Sequence, residues 1–518
     1  MESYPSTVLQ VAVACLVVLL VFVLRRSGHD TRVYPPGPPR RLLVGNLRDI
    51  PSGGYEWESY REIAKKCGSD VVYLTALGTK LLVLSSFEAA RDLLDRKGAI
   101  YSSRPRLVMI NELMGWDWSL ILMPYGRPFQ AYRKTIQQEF QHSVVASSYR
   151  PIIVKESLSL VSRLSQTPAD LSKHLKQMAG AVIMMVTYGH QVTSAEDEFV
   201  ALAEAVREND EKTPGSNLVD VIPVLKYVPA WFPGAGFKRA ALYARKLAWD
   251  MRYVPFQAVK AHIASGTCRD SVVSRLLQSD SPLDDVDKDE FAMNSGGVVY
   301  SGGLHLSWGR YAALLNFFLA MTWYPEVQQR GQKELDEVVG RDRLPTFEDR
   351  DRLPYISNIV KETLRWKAAS PLALPPPTVS PTHPLRMIRT EGCTYPRGQQ
   401  LSPTYPPCST MKRCTRIRLS SSPSDMKQGP GHQPENRTLH VLRSASVGGA
   451  ICPGRFFADE SVWLTVALAL HVFDILNPEG APSKVEWCSG LVSLPSDFPC
   501  MLSPRFPSAV DLVSSAEM

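Results

Sequence analysis

Residues 451–457 read Ile451-Cys452-Pro453-Gly454-Arg455-Phe456-Phe457, and an amphipathic helical period runs on from Phe456 to Phe473. A cysteine placed just ahead of a helix faces free backbone N–H groups and the positive end of the helix dipole. Both favour thiolate over thiol. Pro453 has no competing N–H, and Gly454 lets the backbone pass close to a flat ligand. Cys452 is therefore a candidate metal ligand. Because buried structural cysteines also occur at helix starts, the reading depends on what accompanies it.

Three other runs matter. In Lys361-Glu362-Thr363-Leu364-Arg365, Glu362 and Arg365 stand three apart on one helical face and can pair internally, although an ordinary solvated pair has the same spacing. In Tyr125-Gly126-Arg127-Pro128-Phe129-Gln130-Ala131-Tyr132-Arg133-Lys134, Phe129 and Arg133 lie one turn apart at a helix start. That pairing suits a carboxylate on a ring edge, and an ordinary basic helix would read the same. Tyr300-Ser301-Gly302-Gly303 is a glycine pair leading into a helix, open to close approach by a ligand or a simple turn.

The chain of 518 residues, 44% hydrophobic and 21% charged, reads as a short anchor (1–30) followed by one large domain (31–518). Its formal charge of +7 is spread along the chain, with no basic, aromatic-studded block. Nucleic acid is thereby excluded as the main partner. Residues 8–24 are apolar except for Gln10 and are followed by Arg25-Arg26, a helix of about 17 residues near the lower limit for spanning. The positive charge lies after the apolar run, which marks an uncleaved anchor and keeps Arg25, Arg26 and Arg32 cytoplasmic. Under reducing conditions the nine cysteines are free thiols.

Tyr34-Pro35-Pro36-Gly37-Pro38-Pro39 is a stiff extended hinge. Alternating runs at 71–74 and 81–84, separated by Gly78, predict a hairpin. Helical periods run at about 131–140, 153–165, 171–188, 196–208, 238–265, 310–321, 325–339 and 354–367. The class is mainly α with a minor β-sheet region. From residue 375 to 447, prolines and a basic cluster replace any sustained apolar period, and this stretch is expected to be irregular.

In order and spacing, the cysteine run and its three companions resemble the cytochrome P450 family. Further similarity lies in the proline hinge, Tyr101-Ser102-Ser103-Arg104-Pro105, Val186-Thr187-Tyr188-Gly189-His190, Tyr324-Pro325-Glu326-Val327 and Ser489-Gly490-Leu491-Val492. These look like fungal microsomal members of the O-methylsterigmatocystin oxidoreductase type. The resemblance implies the cytochrome P450 fold and a bound haem (heme, iron protoporphyrin) with Cys452 as axial ligand. It further implies Arg133 on a haem propionate, with Phe129, Gly302, Gly303 and Gly454 around the cofactor, and Glu362–Arg365 as the internal lock. The expected activity is insertion of one atom of O2 into a lipophilic small molecule, served by NADPH-cytochrome reductase at the endoplasmic reticulum membrane. A thiolate trans to oxygen favours O–O cleavage.

The chain also departs from the family pattern. Where the central helix usually carries an acid and a threonine, it has Leu304-His305-Leu306-Ser307, so His305 and Ser307 are the candidates for proton delivery. The aromatic seven residues before the ligand is replaced by Ala445, and the cation two before it by Ala450. Phe129 stands where the family prefers tryptophan. Family texture stops near residue 375 and restarts at Ile451, and falters again at 304–311, the pattern of a shifted reading frame or an unspliced intron. The competing readings are a non-catalytic remnant and a haem-thiolate enzyme that does not activate O2.

Overall fold

The apolar periods of the sequence fold as helices. This computed structural model describes residues 34–367 except 42–43, 52–54, 77–78, 102, 195 and 213–217, then residue 369, three strands between 388 and 403, and 452–517 except 479–484 and 489–492. In chain order come α1 (Glu56–Cys67), β1 (Val71–Ala76), β2 (Thr79–Leu84), α2 (Arg127–Glu139), α3 (Arg150–Gln166), α4 (Leu171–Tyr188), α5 (Glu198–Lys212) and α6 (Gly236–Ala264). Then follow α7 (Val272–Leu277), α8 (Lys288–Trp323), α9 (Pro325–Val338), α10 (Pro354–Trp366), β3 (Ile388–Thr390), β4 (Cys393–Tyr395), β5 (Gln400–Pro403), α11 (Arg455–Val472), β6 (Phe473–Leu476), β7 (Met501–Pro504) and α12 (Ala509–Glu517). Shorter helical turns fill several connections.

The centre is α8, packed against α4, α6, α7, α10 and α11. It is a single helix from Lys288 to Trp323, where sequence periodicity predicts one only from 310. Its apolar residues point all ways, with Leu314, Phe317, Phe318, Leu319, Ala320 and Met321 all buried, so no one-sided period marks its first half. The glycine pair Gly302-Gly303 thus lies inside a helix, not ahead of one. The earlier Gly296 and Gly297 have a separate use. A Cβ on Gly296 would meet Val273 Cγ2 at 2.5 Å, and one on Gly297 would meet Trp118 Cζ3 at 2.8 Å. Close helix packing there compensates the roughly 1 kcal/mol of helix propensity each glycine gives up.

α11 is almost wholly buried, with Trp463, Val466, Ala467, Leu470 and Val472 fully covered, and packs between α3, α8, α9 and α10. β1 and β2 form the expected hairpin, Val71 opposite Leu84, while Gly78 lies outside the described residues. The proline hinge runs along this hairpin. Tyr34 stacks on Tyr73 with centroids 4.5 Å apart, and the Tyr73 N–H donates to Pro36 O at 2.9 Å.

One expectation is corrected. The stretch 375–447 is not irregular throughout, because β3 and β4 pair within it and β5 pairs in parallel with β2, Leu81 opposite Gln400. Strand addition to an open sheet edge is made by backbone groups and needs no apolar period. Residues 8–24 lie outside the described residues, among which no helix is long and apolar enough to cross a membrane.

Candidate functional site

Cys452 stands three residues ahead of the first residue of α11, and its carbonyl accepts the Arg455 N–H at 3.3 Å. Gly454 is the residue at which the helix begins, with φ −76° and ψ 8°. Any residue adopts that conformation, so what Gly454 contributes is its N–H, which bonds the cysteine sulfur. Cys452 to Phe456 are each only partly covered, although the sulfur itself is desolvated. Burial pushes the thiol up, while the Gly454 N–H and the cations of Arg133 and Arg455 pull it down. The net direction is upward. A metal cation overrides that balance, since a coordinating thiol is deprotonated outright.

The cations come from separate segments. α2 is fixed on the start of α8 by Tyr132, whose ring stacks on Phe291 at 4.5 Å and whose hydroxyl accepts from Asn294 at 3.2 Å. Phe129 is buried against Tyr125, with centroids 5.4 Å apart, and lies one turn before Arg133 on the same face. Arg133 is depressed by burial, and its charge interacts with Cys452 and Arg455. Arg104, to which sequence reasoning assigned no role, is pushed down to about 10 by burial and then by Arg133. The Ser-Arg-Pro run was visible as family-like, but only the fold brings it to α2.

Halfway along α8 the residues Tyr300 and Ser301 are buried, yet a Cβ built on Gly302 would meet nothing within 4 Å. Open space over a helix in the molecular interior is a hollow for a flat group. Gly303, His305 and Ser307 lie in α8, and their side chains fall outside the described residues. On α10, Arg365 Nε donates to Glu362 Oε2 at 2.7 Å and its Nη2 to Oε1, a two-pronged pair. The start of α10 is held by Glu334, whose carboxylate accepts the N–H groups of Tyr355 and Ile356 at 2.9 and 3.0 Å.

These residues fit a haem. A desolvated sulfur suits an iron, clustered guanidinium groups suit two carboxylates on one edge of a macrocycle, and the space over Gly302 suits its plane. The sequence model for Cytochrome P450 matches residues 35–383. The chain is 34% identical to Cytochrome P450 monooxygenase 208 of Postia placenta, covering 98% of each chain.

The chain belongs to the cytochrome P450 family.

It is likewise 34% identical to Cytochrome P450 monooxygenase COX2 of Coprinopsis cinerea, over 96% of this chain and 94% of that one, and 33% identical to Cytochrome P450 monooxygenase claR of Ampulloclitocybe clavipes, over 98% and 92%. A solved structure of a zebra fish cytochrome P450 with progesterone matches with a TM-score of 0.65 at 18% identity, covering 87% of this chain and 99% of that one. That likeness concerns the fold. Membership makes the protein a haem-dependent monooxygenase and an oxidoreductase, and the fungal relatives favour this over a non-catalytic remnant. The family match ends at residue 383, inside the stretch where family texture is lost.

Proposed function

We propose that this P450 is a membrane-tethered monooxygenase that inserts one atom of O2 into a lipophilic organic molecule, in fungal secondary metabolism or xenobiotic oxidation. The carrying observation is the convergence of Arg133 and Arg455 on the desolvated sulfur of Cys452, with Arg104 beside Arg133. When bound, haem supplies O2 activation, and thiolate ligation favours O–O cleavage. Cys452 holds the iron, and Arg133 and Arg104 hold the propionates and so orient the ring. Gly302 and Gly303 leave room for its plane, Phe129 packs at its edge, and Gly454 donates to the sulfur. Glu362 and Arg365 keep α10 rigid. His305 and Ser307 stand at the sequence positions from which protons would be delivered; an imidazole with reference pKa near 6.5 can hold and release one.

In the same proposal, residues 1–30 anchor the domain 31–518 to the endoplasmic reticulum as a single pass, with the domain in the cytoplasm and NADPH-cytochrome reductase as electron donor. Supporting the membrane reading is a run of exposed apolar side chains, Leu218, Val224, Tyr227 and Trp231, the last 79% exposed. Soluble surfaces rarely gather so many. Within the family, the quoted motifs support a place beside O-methylsterigmatocystin oxidoreductases. The test is the carbon monoxide difference spectrum of reduced protein made from this sequence. A thiolate-type Soret shift that disappears in Cys452→Ala is expected, and an unchanged spectrum in that variant would refute the assignment.

A further inference from the structure

The first turns of α11 carry two carboxylates soon after Cys452, and each meets an arginine from elsewhere in the chain. Asp459 accepts from Arg350 Nη2 at 2.5 Å. Glu460 is the deeper of the two, 2% exposed, and accepts both prongs of Arg150, Nε at 2.9 Å and Nη2 at 2.8 Å. Arg150 is the first residue of α3, and its guanidinium lies 4.6 Å from the ring centre of Phe347. His142 Nε2 is 3.7 Å from the same carboxylate, with its ring edge-on to Phe456.

A carboxylate gripped by a planar fork is held in direction as well as distance. Further along the same two helices, the hydroxyls of Ser157 on α3 and Thr465 on α11 approach to 3.3 Å. The two helices therefore run side by side in one direction, pinned at Arg150–Glu460 and again at Ser157–Thr465. Sliding α11 by one turn would break both contacts. What its N-terminal end presents is Cys452.

We propose that Arg150 is a positioning residue for Cys452: its fork on Glu460 sets the axial position of α11 against α3 and cancels a buried negative charge on the helix that presents the haem-ligating sulfur. The inference rests on the haem-thiolate reading. Glu460 follows Cys452 by eight residues, roughly 12 Å at 1.5 Å per residue. A charge left unpaired there would act on the sulfur through a medium that screens poorly. Removing one partner of a buried pair strands a charge, whereas replacing both partners strands none.

The test uses the full chain reconstituted with haem, comparing wild type with Arg150→Gln, Arg150→Lys and the double variant Arg150→Gln/Glu460→Gln. For Arg150→Gln the reduced carbon monoxide complex should lose part of its thiolate-type Soret band. Its ferric/ferrous midpoint potential should fall, and haem should pass to an acceptor apoprotein about tenfold faster, a conservative figure for breaking one side of a buried pair. The double variant should recover the potential, and Arg150→Lys, which keeps the charge but not the fork, should recover the potential and only part of the band. A purely structural pair would lower the melting temperature of Arg150→Gln and leave band and potential at wild-type values, which would overturn the proposal. So would a double variant no better than the single one. If wild type itself shows no thiolate-type band, the haem-thiolate reading fails and this inference with it.

Discussion

Holding Arg104 charged in its buried position costs free energy that bound haem should offset, and replacing it should separate the two effects. Its folded pKa of about 10 against an ordinary 12.5 corresponds, at about 1.4 kcal/mol per unit and discounted for partial exposure, to roughly 2 kcal/mol of destabilisation at neutral pH. The sign follows from the direction. A guanidinium with a depressed folded pKa prefers the unfolded state throughout the range in which both forms are protonated. Arg104→Leu should therefore make the haem-free protein more stable by about 2 kcal/mol, or at least no less stable. The same substitution removes one of the cations grouped near Cys452, and a charge-assisted contact to a carboxylate contributes about 1.5–3 kcal/mol, so haem affinity should drop by at least tenfold. Urea unfolding of the haem-free variant and a Soret titration of haem binding measure the two quantities separately. A variant that is destabilised without haem, yet binds haem as tightly as wild type, would refute the placement of Arg104 at the cofactor.

Three further expectations follow from other residues. His471 on α11 is fully buried and its imidazole is pushed down to about 4, chiefly by burial and then by Arg505, against the opposing pull of Asp336 and of a backbone bond at Arg343. Because the folded value lies below the unfolded one, its stability contribution is present above pH 6.5 and is lost as pH falls towards 4, about 3 kcal/mol in all. His471→Leu should flatten that part of the pH profile, and equal acid sensitivity in both proteins would contradict it. Gly302→Ala should stabilise the haem-free fold by about 0.5–1 kcal/mol, since a helical glycine loses that much relative to alanine and the added methyl meets nothing. Gly302→Leu should keep the fold by circular dichroism but take up no haem, and normal uptake would show that the hollow serves something else. Peptide masses from the native protein should cover 455–478 and match nothing in 386–440 as written, and peptides that do match there would sink the shifted-frame reading.

The helices were legible wherever burial is one-sided. α3, α4, α9, α10 and α11 fall within a few residues of the apolar periods, and the hairpin β1–β2 follows its alternation. The first half of α8 escaped because a helix buried on all sides carries no period, and because Gly296, Gly297, Gly302 and Gly303 resemble breakers until their packing is seen. The strands β3 to β5 escaped because pairing at a sheet edge is made by backbone groups among prolines and charges. Within the site, local pairs were readable. Glu362 and Arg365 needed only helical spacing, and Cys452 needed only its place before α11. Arg104 beside Arg133 was not readable, since nothing local couples Ser-Arg-Pro to the face of α2.

That contrast bears on how this chain can be a P450 with Ala450 where the family carries a cation. The sequence reads as a loss of positive charge next to the ligand. The fold supplies charge from other directions: Arg133 from α2 and Arg455 from the first turn of α11 both act on the Cys452 sulfur, and Arg104 stands beside Arg133. Electrostatic attraction depends on distance and on local screening, so any of these cations can stand in for one at position 450. What they do not share with it is tolerance. A cation two residues before the cysteine moves with the cysteine, whereas Arg133 and Arg104 keep their distance to it only while α2 stays on α8 and α11 stays on α3. In this chain, haem retention should accordingly be more sensitive to helix-packing substitutions at Tyr132, Phe291 and Arg150 than to any change at position 450 itself. Comparing haem loss from Tyr132→Leu with that from Ala450→Arg would decide it, the first being faster than wild type and the second little changed.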